Sequence, residues 1–515
     1  MSWSTSETCL VLLLLLAADL IRRFIANREQ RKSPPLPPGP RSLPLLGSAL
    51  SVDTKEPWHT YIQWGVTYGD IIYTRLLNQE VVVLNSQSDA VELFEKRSQN
   101  YSDRPFLATL EPFGWGFNFG FMPYGDHWRL CRRIFHETFR ADAALSFRPM
   151  QLRTAREMVV NLIDNPAEFH SHYATFAASV VMSAVYGYEP RIRDDPIVFI
   201  INRFLRSTST EMTPEKGMIL KAFPFLLYLP DWFPGSSYKL KSIFARKCSQ
   251  ESIELPYQYA ERQRPAGSMV FEHLARVQGY DEPHHVEYLA ALKDASATSY
   301  SAAVDTTTAS LMTFTLAMVM YPHIWRHAQA EIDSVVGVDR LPEYDDRPSL
   351  PYVDAIVRET FRWQPPAPLG VPHATVSSDI FKGFYIPKGA TIIPNIWAMS
   401  HDETRYPNAA EFIPERFLNA DGSLTDDDPS RFVFGFGRRI CPGRHIADAS
   451  LWISIATMLA VLDFSRAKDT EGKDIEFVPT YLNGLSRRPA IFPCSISPRA
   501  HINKATLQQT MGGFI

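Results

Sequence analysis

Apolar and polar positions recur along this chain with two different periods, and those periods assign most of its elements. Between Asp70 and Ser86 two β-branched runs, IIYTRLL and VVVLN, meet at Asn78-Gln79, which predicts a hairpin. Helical spacing dominates afterwards. The longest such stretch runs from about Val286 to Met320 and stops before Pro322. Another helix opens at Ser349-Leu-Pro-Tyr, with Val353, Ile356, Val357 and Phe361 as its apolar positions. A further amphipathic helix is predicted from Ile446, Ala449, Ile453, Ala456 and Ala460. The fold class that follows is mainly α with a smaller β portion. From residue 46 to 515 no linker, repeat or long charge block interrupts the pattern, so one large domain is expected there. A domain of that length exceeds the usual size, which points to a large cofactor at its centre.

The first 45 residues follow a different pattern. Cys9 to Ala18 is an unbroken apolar run, Asp19 follows, and Leu20 and Ile21 continue it. A spanning helix needs about 20 largely apolar residues, so the run is short. A cleavable signal would carry its basic residues ahead of the run. Here Arg22, Arg23, Arg28, Arg31 and Lys32 all come after it, which predicts an uncleaved anchor over 1–25 and a cytosolic remainder. Residues 26–45 are basic and then proline-rich, Pro34-Pro35-Leu36-Pro37-Pro38-Gly39-Pro40, a sequence stiff and extended enough for a spacer between membrane and domain.

Composition narrows the function classes. The net charge of −4 gives no field to recruit nucleic acid. Five cysteines in 515 residues are too few, and odd in number, for a disulfide framework. The 39 prolines exceed the roughly 5% of average usage. One cysteine stands in special surroundings. Residues 434–443 read Phe-Gly-Phe-Gly-Arg-Arg-Ile-Cys-Pro-Gly, in which Gly435 and Gly437 permit a tight loop and Gly443 a close backbone approach behind Cys441. A helix starts just beyond, and its N-terminal dipole favours a thiolate. Such a cysteine is a metal or haem ligand, a nucleophile, or an inert buried thiol. Histidine pairs at 170/172 and 284/285 lack the accompanying spacing of a metal site and read as surface residues.

The spacing Phe434-x-x-Gly437-x-Arg439-x-Cys441-x-Gly443 resembles the cysteine-ligand loop of the cytochrome P450 family. Five specified positions have a chance expectation of roughly one in a thousand or less at average residue frequencies. Other segments, within about residues 34 to 495, resemble the family in the same order. Glu359 and Arg362, with Arg416 in Pro414-Glu415-Arg416-Phe417, look like its buried Glu-Arg-Arg network. Trp128 and Arg132, one helical turn apart, look like its propionate-binding pair, with His373 and Arg439 as further propionate contacts. Ala302-Ala303-Val304-Asp305-Thr306-Thr307 resembles its oxygen-activation motif, in which an acid and an alcohol interrupt the long helix, except that Ala303 takes the usual glycine position.

What the resemblance implies is a haem-centred monooxygenase with heme b ligated through Cys441, cofactor contacts from Trp128, Arg132, His373, Arg439, Phe434 and Gly435, and catalytic roles for Asp305 and Thr306. No Walker A and no Gly-x-Gly-x-x-Gly is present, so electrons are expected from NADPH through a separate cytochrome P450 reductase. Arg133, Arg438 and Arg444 are candidates for its docking surface, Arg133 and Arg438 alternatively for propionate contact. Phe106, Phe113, Trp115, Phe117, Phe119 and Phe121 are candidates to line an apolar cavity, core packing accounting for part of them. Family cavities also draw on segments like those around Tyr300, Leu369–Val371 and residues 482–485. The apolar, aromatic stretch Ala222 to Gly235 is expected at the membrane surface near a substrate entrance. A lipophilic small-molecule substrate and the endoplasmic reticulum membrane follow from this reading. The texture of GVPHAT and FGFGRRICPG looks like fungal enzymes of secondary metabolism, so a terpenoid substrate is expected. Aromatic or xenobiotic oxidation, and a haem-thiolate isomerase or dehydratase, remain alternatives.

Overall fold

The computed structural model describes residues 34–502, apart from 45, 78, 192–193, 209–210, 278–281 and 485. The expected anchor over 1–25 and residues 26–33 of the hinge lie outside these described residues, as do Asn78 of the hairpin turn and Leu485. Two compact units assemble from interleaved segments of chain. One takes residues up to 106, 368–399 and 435–439, and the other takes 107–367, 400–434 and 440 onward.

The first unit is built on a four-stranded sheet. Strands β1 (Ile71–Leu76) and β2 (Gln79–Leu84) form the expected antiparallel hairpin, with Ile71 opposite Leu84 and Leu76 opposite Gln79. Two later strands, β3 (His373–Ala374) and β4 (Thr391–Pro394), complete it in the order β1-β2-β4-β3. β4 runs parallel to β2, so Val81 faces Thr391 and Val83 faces Ile393. Ile72, Val81, Val83 and Ile393 close over Tyr61 as this unit's apolar core. The proline run is part of the unit rather than a free spacer. Proline lacks an N–H but keeps its carbonyl, and Pro38 accepts from the Tyr73 N–H at 3.0 Å while Pro35 accepts from Tyr385 at 2.8 Å. Gly39 is needed there, because a Cβ would lie 1.9 Å from the Tyr73 carbonyl oxygen.

The second unit is helical. Its elements include α1 (Asp126–Phe139), α2 (Arg148–Asp164), α3 (Phe169–Tyr186), α4 (Ser237–Gln263), α5 (Glu282–Met320), α6 (Pro351–Trp363) and α7 (Arg444–Val461). α5 is the predicted long helix, starting four residues earlier than its pattern suggested, and it packs against α1, α3, α4, α6 and α7. It is apolar and long enough to cross a membrane, yet 78% of its apolar window is buried inside this unit, so it is a core helix. α7 departs from its amphipathic expectation. Every residue from Ala449 to Val461 is buried, because α2, α5, α6 and the helix Pro322–Val335 surround it. A helix enclosed on all sides needs no polar face, and Ser450, Ser454 and Thr457 are its only polar concessions along that stretch. A strand pair, β5 (Leu462–Arg466) with β6 (Cys494–Pro498), finishes the unit, Phe464 opposite Ile496.

Candidate functional site

The glycine-rich loop is shaped by its glycines, though not all in the expected way. Gly435 and Gly437 have φ of 80° and 54°, left-handed conformations that other residues enter at a cost. Close approach occurs at Gly437, where a Cβ would sit 2.0 Å from the Phe94 carbonyl oxygen. Gly443, expected to be the crowded one, has only ordinary contacts, with Ile446 and Phe135 atoms 3.8 Å from a built Cβ. Its place is instead the N-cap of α7. The Cys441 N–H donates to the Phe434 carbonyl at 2.8 Å, and the Phe434 ring meets Phe361 edge-on at 5.2 Å.

Cys441 thus stands two residues before Gly443, the N-cap of α7. Burial pushes its thiol up. The Gly443 N–H and the cations of Arg132 and Arg444 pull the other way, by stabilising a thiolate. Arg132 lies on α1, one turn after the buried Trp128, and burial pushes its guanidinium down to about 10 despite the attraction of a Cys441 thiolate. Arg444 is half-buried and donates to the Cys441 carbonyl at 3.2 Å, which ties it to the loop. Arg133 and Arg438 are exposed, which suits a docking surface better than contact with a buried group.

A second group of cationic side chains belongs to the first unit. His373 is buried, its Nδ1 donates to the Tyr101 carbonyl at 2.7 Å, and its ring lies 4.2 Å from that of Phe94. Arg439 is also buried and donates from Nε to the Ser102 carbonyl at 2.8 Å. Arg104 joins them, donating to the carbonyls of Val371 and Pro372 at 2.8 Å each. Burial, then the charge of Arg439, drives Arg104 toward neutrality, and burial with the charges of Arg104 and Arg439 does the same to His373. Sequence reasoning missed Arg104, since nothing in Tyr-Ser-Asp-Arg-Pro signals that an arginine is buried. Buried basic side chains whose charged forms lack a counter-ion suit an anionic group such as a haem propionate, and a thiol flanked by two guanidinium groups suits an iron ligand. The residues present therefore fit haem.

On α5, Ala302 and Thr306 are exposed and one turn apart, while Val304, Thr307 and Thr308 are buried. Only one narrow face of a core helix is left open there. The expected interruption is not seen: α5 continues unbroken, and the Thr306 hydroxyl donates to the Ala302 carbonyl at 2.8 Å, with Ala303 at 3.4 Å. Alanine where the family has glycine favours this, because alanine keeps helical dihedrals and the hydroxyl can bond back one turn without opening the helix. Asp305 does not meet Thr306 directly. Burial raises its carboxyl above the ordinary aspartate range, and the Arg488 cation pulls it partly back.

The supporting network is as expected. Glu359 is wholly buried and takes Arg362 in a fork, Oε2 from Nε at 2.6 Å and Oε1 from Nη2 at 2.7 Å. Arg416 Nε adds a third bond at 3.2 Å, and the Ile413 N–H a fourth at 2.8 Å. Arg362 spends its other hydrogens on the carbonyls of Ser400, Ala409 and Glu411, which pins an irregular segment to α6. Core packing accounts for most of the aromatic stretch. Phe113, Trp115 and Phe117 pack with Phe204 as core, Phe119 packs against Phe135, and Phe106 is exposed. Phe121 is half-buried and meets Trp115 edge-on at 6.3 Å. His170 is bonded to Arg488 and His172 to the Asn165 carbonyl.

A family profile described as Cytochrome P450 matches residues 37–490. Cytochrome P450 monooxygenase 208 of Postia placenta is 39% identical over 93% of this chain and 93% of its own length. Cytochrome P450 monooxygenase ple1 of Rhodocybe pseudopiperita is 36% identical, covering 97% of this chain and 96% of its own. Cytochrome P450 monooxygenase COX1 of Coprinopsis cinerea is 34% identical over 98% of this chain and all of its own.

Proposed function

Since the chain belongs to the cytochrome P450 family, and is thereby a haem b monooxygenase with a cysteine-thiolate iron ligand and a reductase as electron donor, we propose that Cys441 is that ligand. One observation carries the proposal: the Cys441 thiol is flanked by the Gly443 N–H and by Arg132 and Arg444, all of which favour its thiolate. Bound on that thiolate, haem supplies the activation of dioxygen.

The protein's own part is positioning and proton handling. In the second unit Arg132 and Trp128 from α1 would be propionate contacts; in the first unit His373, Arg439 and Arg104 would be, and Phe434 and Gly435 would shape the loop sequence that leads to the ligand. Thr306 offers a hydroxyl on the open face of α5, and one torsion would turn its hydrogen from the Ala302 carbonyl into the space on that face. Asp305, whose carboxyl burial raises above the ordinary aspartate range while the Arg488 cation pulls it partly back, is the proton carrier in this reading. Ala302 brings no charge to that face, so an apolar substrate suits it.

The substrate in this reading is a terpenoid of fungal secondary metabolism, entering past the 222–235 stretch. Phe223, Phe225, Tyr228, Trp232 and Phe233 expose their apolar rings there, which suits contact with a bilayer. Fungal members of the family are commonly microsomal, and the basic cluster after residues 9–21 supports an endoplasmic reticulum anchor over 1–25 with the catalytic domain cytosolic. Full-length chain in microsomes with reductase, NADPH and a terpene scaffold should yield a product one oxygen atom heavier. Equal turnover of an organic peroxide as the sole substrate, with NADPH withheld, would overturn this in favour of an isomerase or dehydratase.

A further inference from the structure

α1 and α5 approach each other at a cluster that the haem chemistry does not use. His127 and Cys131 are one turn apart on α1, and Asp294 faces them from α5. The His127 Nε2, the Cys131 Sγ and the Asp294 carboxylate all lie within 4.8 Å of one another. His127 Nε2 and Asp294 Oδ2 are 2.8 Å apart, and the Cys131 thiol makes only a weak 3.6 Å contact to the Ala291 carbonyl. We propose that His127, Cys131 and Asp294 form a binding site for a borderline-soft divalent cation, zinc being the natural occupant, that fastens α1 to α5.

The donor set carries the argument. One imidazole, one thiol and one carboxylate are the ligand types zinc takes, and three protein ligands plus a water make a tetrahedral site. Zinc–ligand distances of about 2.0–2.3 Å place tetrahedral donors about 3.4–3.7 Å apart. The His127–Asp294 pair must then open by less than about 1 Å, and the 4.8 Å spread must close by a rotation of the thiol. Side-chain exposures of 38% for His127 and 23% for Asp294 leave an entry path from solvent. The Glu111 carboxylate also acts on Asp294, adding negative charge that favours a cation. Arg132 and Arg133 follow Cys131 on α1, but a helix directs adjacent residues to different faces. In the binding step the Cys131 S–H bond breaks heterolytically, its proton leaves to solvent, and an S–Zn bond forms. His127 contributes the Nε2 lone pair, and nothing is oxidised or reduced.

The test uses chelator-treated, full-length holoenzyme titrated with cadmium, whose thiolate complex has an ultraviolet charge-transfer absorption, and with zinc in competition. Wild type should take one equivalent with the thiolate signature and release one proton. Cys131→Ser should abolish the signature. His127→Gln, at a half-exposed position where folding is preserved, should weaken binding by about 10-fold or more, and zinc should raise the Tm of wild type but not of this variant. A wild type without the thiolate absorption at one equivalent would overturn the proposal. So would absorption that survives Cys131→Ser, or a His127→Gln variant that binds zinc as tightly as wild type.

Discussion

Thr306 gives its hydroxyl hydrogen to the Ala302 carbonyl, so its availability to another oxygen is a matter of one torsion of a small side chain. Thr306→Val keeps the shape and removes the hydroxyl. Product formed per NADPH consumed should then drop by on the order of 10²-fold, with peroxide released instead, while the thiolate-type carbon monoxide spectrum is retained. Asp305 supplies a pH signature. Its carboxyl is raised by burial and lowered by Arg488, so it stays protonated above the ordinary aspartate range and loses its proton as pH rises through the shifted value. An activity limb belonging to this group should lie above that range. Arg488→Ala removes the lowering influence and should move the limb to higher pH; Asp305→Asn should abolish it. A kcat profile in which neither variant moves any limb would remove Asp305 from the proton path. The composition of this segment was legible in the sequence. Its unbroken backbone was not, because whether a threonine hydroxyl bonds back or opens a helix depends on the neighbouring packing.

At the scale of elements, two devices hold the ligand loop and its support. Gly437 has φ 54° and its missing Cβ leaves room for the Phe94 carbonyl. Gly437→Ala should therefore lose haem content, measured as thiolate spectrum per mole of protein, whereas Gly443→Ala, with only 3.8 Å contacts, should keep most of it. The Glu359 carboxylate is the shared partner of Arg362 and Arg416 at the end of α6. Removing one member of a buried ion network strands the others, so Glu359→Gln should cost about 3–5 kcal/mol of stability in denaturant unfolding. Removing the whole network would be the milder change in principle, which identifies its role as fixing the segment over Ser400–Ile413 rather than adding net stability. The spacing of Glu359 and Arg362 was visible as a helical pair, but a pair at that spacing is usually solvated. Only burial of both, and Arg416 arriving from a distant segment, distinguishes the two cases.

Across the whole molecule, apolar surface is distributed unevenly. The 223–233 stretch exposes Tyr228 at 82% and Trp232 at 81%, while α5, more apolar over a longer span, is enclosed. Replacing Phe225 and Trp232 together by serine should raise KM for a lipophilic substrate in reconstituted bilayers and leave kcat little changed. An unchanged KM would detach this stretch from substrate entry. The sequence by itself determined the periods, and so the long helix, the hairpin, the cysteine loop and the order of its companion motifs, because these depend on neighbours a few residues apart. Tertiary structure alone decided which helices are enclosed, that α7 needs no polar face, that the proline run docks through its carbonyls, and that Arg104 joins His373 and Arg439. Each of those outcomes rests on burial and on charges brought together from distant segments. Spacing along one chain carries no record of either.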